Sequence, residues 1–528
     1  MLPRSAALLL AGLAAGVSPP ARVAGLDLSL FSREVPSDHV LSLSFQKERM
    51  HNGHHKIRRD TVVSTLDNEY LLYYADVEIG TPPQKLRLQI DTGSSDVWAP
   101  SATSSYCKSK EGQCSQGSYN PSDSTSRRLV SKNSFNISYL DGSHAIGDYI
   151  TDVFTVGNIT IKDLQVGVGY DTDIMAGILG LGYGANSVAE KSYPSLVDQL
   201  VSHKYINSRA YSLYLNDQEA NTGEILFGGI DTEKFEGKLV GLPVQLEGDN
   251  TDPTDFIVAL SSVSLSIQGQ KEQLVSNKTL PVVLDCGSSL TYLPNSTVSA
   301  IVKNFDGAWN TQLKSYVIPC SMTNNHDDFV TYRFGGPKGP EVRVPIEELT
   351  NYVLDVNGDV WTNDDGNPEC TFGIQPQPSD FGDSYIFGDT FLRSAYVVYD
   401  LDGQKIWLAQ TIFNSTDQKI LEIAKSTTSN SGVPDVSGVA SVITVRATST
   451  AAQRPHPTVA TLAKNGTATR GATATIVLPG EATTSADATE TGSTNTNSNK
   501  SNTGLRLEAG GILGFVLIAV ACLFTATA

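Results

Sequence analysis

Two short stretches, far apart in the chain, limit what it can fold into. Leu88-Gln89-Ile90-Asp91-Thr92-Gly93-Ser94-Ser95-Asp96-Val97-Trp98 has one counterpart, Pro281-Val282-Val283-Leu284-Asp285-Cys286-Gly287-Ser288-Ser289-Leu290-Thr291. In each, an apolar strand-like run delivers an Asp into a Gly turn flanked by hydroxyls. A carboxylate at the end of a buried strand loses its water and needs donors, which the N–H groups and hydroxyls of such a turn can supply. The repetition predicts two similar halves, each presenting one acidic group from the same kind of loop.

Further landmarks arrive in order. Tyr139-Leu140-Asp141-Gly142-Ser143 reads as a hairpin turn, and Ile178-Leu179-Gly180-Leu181-Gly182 is matched later by Ile386-Phe387-Gly388-Asp389. With Phe227-Gly228-Gly229-Ile230-Asp231, these motifs make the chain resemble the pepsin-type aspartic endopeptidases over about residues 70–410. The resemblance implies a mainly β, bilobal pepsin-like fold, with the active site in the cleft between two similar β-rich lobes. It makes Asp91 and Asp285 the catalytic pair, supported by Thr92, Gly93, Ser94, Cys286, Gly287 and Ser288. Tyr139, Asp141, Gly142 and Ser143 become a flap over substrate, and Trp98 the hydrogen-bond support of Tyr139. The family usually has Thr or Ser where this chain has Cys286, and a thiol is a weak hydrogen-bond partner. Three readings stay open: a tolerated small hydrophobe, a loosened and less active pair, or a site sensitive to oxidation.

Peptide hydrolysis without a metal or a nucleophilic side chain needs a base for water and an acid for the carbonyl oxygen. Two carboxyls at contact cannot both ionise cheaply, so they share a proton and serve as both. The expected chemistry is acidic, with no cofactor, no metal, and protein or peptide substrates. Asp141 either helps the first subsite accept a basic residue, as in fungal relatives with Asp there, or is only a turn residue. Tyr139 could likewise be an ordinary strand aromatic.

The remaining segments describe a secreted, surface-held protein. Residues 1–24 carry Arg4, an Ala/Leu-rich run and Pro19-Pro20, the pattern of a signal peptide. Residues 25–59 lean basic and end in Arg58-Arg59, which reads as a propeptide cut by a processing protease. Four of the eight histidines, His39, His51, His54 and His55, lie there. A basic segment across an acidic cleft could be released as they protonate, or they are simply surface residues. Residues 60–242 and 243–424 form the two lobes, joined near 237–243, with the best helical patterns at 194–203 and 297–310. The family pattern pairs Cys107 with Cys114 and Cys320 with Cys370, while Cys522 lies in an apolar tail.

Asn136, Asn158, Asn277, Asn295, Asn414, Asn465 and Asn499 are N-glycosylation sequons. Residues 425–504, rich in Ser, Thr, Ala, Asn and Gly, read as a disordered C-terminal stalk, O-glycosylated or a plain linker. Residues 505–528 end in an uncharged run with nothing basic after it, which fits a glycosylphosphatidylinositol (GPI) signal, attached at Asn502, better than a spanning helix. The whole resembles the yapsin-like, GPI-anchored proteases of fungi, at the plasma membrane or cell wall. A net charge of −18 argues against nucleic acid as a partner. A monomer is expected, since the lobes bury each other. Two rivals are a catalytically impaired surface-binding protein of the same fold and a structural wall glycoprotein.

Overall fold

The computed structural model describes residues 39–48, 72–109, 114–220, 222–353, 360–363, 365–378, 382–440 and 443–447. Among them strands dominate. Those of the first half are β1 (Leu41–Glu48), β2 (Leu72–Ile79), β3 (Gln84–Asp91), β4 (Val97–Pro100), β5 (Arg128–Ser138), β6 (His144–Val156), β7 (Ile159–Thr172), β8 (Gly177–Gly180), β9 (Ala210–Tyr214) and β10 (Thr222–Phe227). They run in the order β9-β10-β1-β2-β3-β8-β4-β7-β6-β5 within one 14-stranded sheet. Beyond β9 the same sheet continues through Ala395–Asp400, Lys405–Gln410, Leu239–Pro243 and Val436–Val439. The second lobe has its own eight-stranded sheet, in which Ile257–Ser266 pairs with Leu280–Leu284 and Phe329–Phe334.

The duplication is explicit in the strand pairing. β3 runs parallel to β8, Leu88 opposite Gly177 and Asp91 opposite Gly180. Leu280–Leu284 runs parallel to Tyr385–Phe387 in the same way, Leu284 opposite Phe387. Each inserted strand runs into a glycine, Gly180 at the end of β8 and Gly388 just after Phe387, because the acidic loop crosses directly over it. A Cβ on Gly180 would lie 2.6 Å from the Asp96 carbonyl oxygen, and one on Gly388 2.5 Å from that of Leu290. No real side chain tolerates such separations, so the glycines are fixed by packing.

Three expectations need correcting. The first helix forms as expected, α1 (Leu196–Ser202), opened by a capping box between Ser195 and Asp198. The second, expected over 297–310, is only α2 (Asn295–Val302) followed by a 3₁₀ turn, Lys303–Phe305. Asp306 is left-handed at φ 53°, and the chain leaves as the strand Ala308–Asn310. Gly307 sits so close to Val302 and Ile318 that the chain must fold back there.

The second correction concerns the segment before Arg58-Arg59. Its described part does not drape over a cleft: β1 is an internal strand, antiparallel to β10 and β2. Leu41, Leu43 and Phe45 point into the core, and the Lys47 ammonium donates to the Gln218 carbonyl. The period-two alternation Leu-Ser-Leu-Ser-Phe explains the placement. His51, His54, His55, Arg58 and Arg59 lie outside the described residues.

The third concerns where the body ends. Residues 425–440 and 443–447 pack on the body, and Val436–Val439 adds a parallel strand beside Leu239–Pro243. Val433, Ala440 and Ala447 are buried, and Arg446 donates to the Gly248 carbonyl. The polar average of 425–504 conceals these few apolar residues. Asn465, Asn499, Asn502 and the terminal apolar run lie outside the described residues. Burial of Val433 and Ala440 is worth about 3 kcal/mol. A chain ending at 424 should therefore melt a few degrees lower than one ending at 447, read by scanning calorimetry.

Candidate active site

The two acidic loops face each other with the same internal wiring. Asp91 Oδ1 accepts from Gly93 N at 2.7 Å, and Oδ2 accepts from the Ser94 hydroxyl. Asp285 Oδ1 accepts from Gly287 N at 2.8 Å, and Oδ2 from Ser288 Oγ at 2.8 Å. A Cβ on Gly93 would lie 2.7 Å from the Asp285 carboxyl carbon, and one on Gly287 would collide with Asp91 Oδ1. Gly93 and Gly287 thus leave room for the carboxyls to meet. Burial first, and the neighbouring Asp91 charge second, push the Asp285 carboxyl well above the usual carboxylate range. The pair accordingly holds one proton between its members until the pH is well above that of an ordinary Asp.

Thr92 and Cys286 lock the loops together from below. Thr92 Oγ1 donates to the Leu284 carbonyl at 3.0 Å and accepts from Cys286 N at 3.0 Å. The return contact is the Cys286 thiol to the Ile90 carbonyl at 3.7 Å. The thiol therefore occupies the place of a hydroxyl and keeps its direction, with a longer and weaker bond. It is buried, and burial pushes it far above the ordinary thiol range, which leaves it un-ionised and poorly nucleophilic. Sequence reasoning missed a further link, Gln89 Nε2 to the Gly287 carbonyl at 3.0 Å. Gln89 falls on the polar side of the alternation Lys85-Leu86-Arg87-Leu88-Gln89-Ile90, so the local pattern carries no signal for it.

The flap is the tip of the β5–β6 hairpin. Tyr139 N donates to Ser143 O at 2.9 Å and Gly142 N to Tyr139 O at 3.0 Å. Gly142 has φ +84° with open space around it, so glycine is required there for conformation. Trp98, fully buried, donates from Nε1 to Tyr139 Oη at 2.8 Å. Asp141 Oδ1 accepts from Ser143 N at 2.8 Å and Ser143 Oγ at 2.6 Å. Its Oδ2 has no hydrogen-bond partner, and burial pushes the carboxyl up to about 7.

The disulfides Cys107–Cys114 and Cys320–Cys370 are both formed. Asn158, Asn277, Asn295 and Asn414 are exposed, whereas Asn136 is half-buried on the flap arm β5, opposite Ile146. Asn414 Nδ2, the atom a glycan would occupy, donates to Asp217. The sequence reading also assigned no chemistry to Asp389, a fully buried carboxyl with neither oxygen hydrogen-bonded, pushed well up by burial.

Residues 72–411 match the family model "Eukaryotic aspartyl protease". The chain belongs to that family. It is 42% identical over 392 residues to "Probable aspartic-type endopeptidase OPSB" of Arthroderma benhamiae, covering 73% of this chain and 77% of that protein. It is 43% identical over 434 residues to "Probable aspartic-type endopeptidase opsB" of Aspergillus oryzae, covering 79% and 84%. "Candidapepsin-3" of Candida albicans is 33% identical over 372 residues, covering 69% and 85%. The protease is an aspartic-type endopeptidase, a hydrolase.

Replacing Cys286 by Ser restores a hydroxyl on the Ile90 carbonyl. The expected change in kcat/KM is within about threefold, and in unfolding free energy about 1 kcal/mol. A hundredfold loss on peptide cleavage would instead show that the thiol is needed. The raised carboxyls also set the pH dependence of stability. Asp285, Asp389 and Asp400 all lie above their unfolded values, chiefly through burial. Their contribution is fully present below about pH 4 and is lost as pH rises through the folded values. Thermal unfolding should therefore occur at a lower temperature at pH 8 than at pH 5.

Proposed function

We propose that the protease cleaves protein or peptide substrates in acid by general acid/base activation of a water held between Asp91 and Asp285. The observation that carries this reading is the face-to-face pair of loops with matched donors on each carboxyl. The ionised member takes a proton from water as it attacks the scissile carbonyl, and the protonated member donates to the carbonyl oxygen. Collapse of the tetrahedral species then returns a proton to the leaving amine. The donors at Gly93, Ser94, Gly287 and Ser288 hold both carboxyls in place through this exchange. Tyr139 closes over the substrate, with Trp98 holding its hydroxyl.

Asp141 favours a basic residue just before the scissile bond. An unpartnered carboxylate oxygen on the flap suits an ammonium or guanidinium. With the Asp141 carboxyl pushed up to about 7, that pairing must first ionise it. Each pH unit below 7 costs about 1.4 kcal/mol.

The reading extends to the rest of the chain. The protease passes through the secretory pathway and loses residues 1–24. A processing protease then cuts after Arg59, and the product works as a monomer. Residues 505–528 are exchanged for a GPI lipid at Asn502, which holds it at the plasma membrane or wall. A relative named "Secreted aspartic protease 3" from Candida albicans, 33% identical, supports the secreted part. Mass spectrometry of the natural protein would locate both termini.

Two outcomes test the chemistry. Asp91→Asn should lower kcat by about a thousandfold or more while the protein stays folded, and pepstatin should block the wild type. An unaffected kcat would place the chemistry elsewhere, and no cleavage by the wild type after removal of residues up to Arg59 would favour a surface-binding protein of this fold. For matched peptides, the Lys-to-Leu ratio of kcat/KM should rise between pH 4 and 6, by at most about tenfold per unit. It should flatten in Asp141→Asn. A ratio of one at every pH would remove the basic preference.

A further inference from the structure

Asp96 is wholly buried five residues beyond Asp91, at the entrance to β4, the strand that carries Trp98. Its Oδ1 accepts from Tyr149 Oη at 2.7 Å, Tyr193 Oη at 2.7 Å and Ser187 Oγ at 3.3 Å. Its Oδ2 accepts from Val188 N at 2.9 Å. The donors come from two places. Tyr149 lies on β6, the return arm of the flap, and the other three belong to the loop that precedes α1.

That loop is also tied to the catalytic loop. Gly182 N donates to Ser94 O at 2.8 Å, Ser95 Oγ to Tyr183 O at 2.6 Å, and Asn186 Nδ2 to Gly93 O at 3.4 Å. Val188 and Tyr193 pack in the same apolar cluster as Trp98, Tyr139 and Tyr149. One carboxylate therefore sits where the catalytic loop, the flap arm and the loop before α1 meet.

We propose that Asp96 is a positioning residue for substrate binding: its carboxylate clamps the 187–193 wall and the flap arm to the catalytic loop, so that the cleft keeps one shape. The residue type follows from the partners. All four groups around it are donors, and a carboxylate is the side chain that accepts on both oxygens. An amide would turn an NH₂ toward one of them, and an apolar residue would leave four donors unpaired, the buried Tyr149 and Val188 and the half-buried Ser187 and Tyr193. Asp96 touches neither Asp91 nor Asp285, so its loss should alter how substrate is held and leave the proton exchange alone.

The inference rests on the endopeptidase reading, and the experiment separates the two. The protease, expressed as the full chain and cut after Arg59, and its Asp96→Asn, Tyr193→Phe and Asp96→Asn/Tyr193→Phe forms are assayed for kcat and KM against pH on one peptide, with active sites titrated by pepstatin. Asp96→Asn should raise KM about tenfold, with kcat within about twofold and the alkaline limb of the profile unmoved. Tyr193→Phe should raise KM about threefold, and the double variant should match Asp96→Asn alone, because both act through one clamp. Unchanged KM in Tyr193→Phe, a fall in kcat at constant KM, or additive effects would overturn the proposal. Should Asp96→Asn fail to fold, Tyr193→Phe keeps the carboxylate and decides the matter by itself. Absence of cleavage in the titrated wild type would defeat the endopeptidase reading, an outcome distinct from these.

Discussion

Two carboxyl groups brought to contact make the demand that the rest of the protein answers. Like charges at that distance in a buried setting are expensive, and only a shared proton and a full set of donors make the arrangement tenable. The donors come from Gly93, Ser94, Gly287 and Ser288, and the approach itself depends on the missing side chains of Gly93 and Gly287. Each loop in turn must cross a glycine at the end of a parallel strand, Gly180, or just beyond it, Gly388. The Thr92 hydroxyl, bonded to both Leu284 and Cys286, prevents the halves from sliding. A departure at position 286 is accommodated because the thiol still faces the Ile90 carbonyl, and most of the cross-link runs through the Thr92 side chain and the Cys286 backbone.

The flap obeys a different logic. Its tip combines a Gly in a left-handed turn, Asp141 bonded to Ser143, His144 N bonded to Asp173, and a hydrogen bond from Trp98 to Tyr139. Its base is far more constrained, through Tyr149 and the buried Asp96. Beside the dyad, burial also holds Asp389 and Asp400 above the usual carboxylate range.

Much of the site could be read from local sequence, because the features that build it are local. Asp91 and Asp285 carry their own donors within three residues, the flap turn is five residues long, and the disulfide partners follow the family pattern. What escaped notice depends on partners distant in the chain. Gln89 bonds a residue 198 positions away, and Asp96 gathers donors 53 to 97 positions away. Strand β1 was hidden in a segment read for its charge, and residues 425–447 in one read for its average composition. In both, a few alternating or isolated apolar residues decided the outcome. The early end of α2 had a visible sign, the Asp306-Gly307 pair, which was outweighed by the helical spacing before it.

The 14-stranded sheet has a consequence for how this protein comes apart. In the uncut chain its hydrogen-bonded ladder runs from the flap arm β5, through the acidic strand β3 and then β1 of the 25–59 segment, to Ala395–Asp400 and Lys405–Gln410 of the second half. A duplicated protein with two lobes invites the picture of two foldons that melt one after the other. Here the backbone ladder welds them, because β9 pairs with Phe227 on one side and with Val397 on the other. Neither lobe can shed its strands without stripping partners from its neighbour. In the uncut chain the cleft is therefore a seam within one hydrogen-bonded body, and cutting after Arg59 frees the strand that joins β10 to β2.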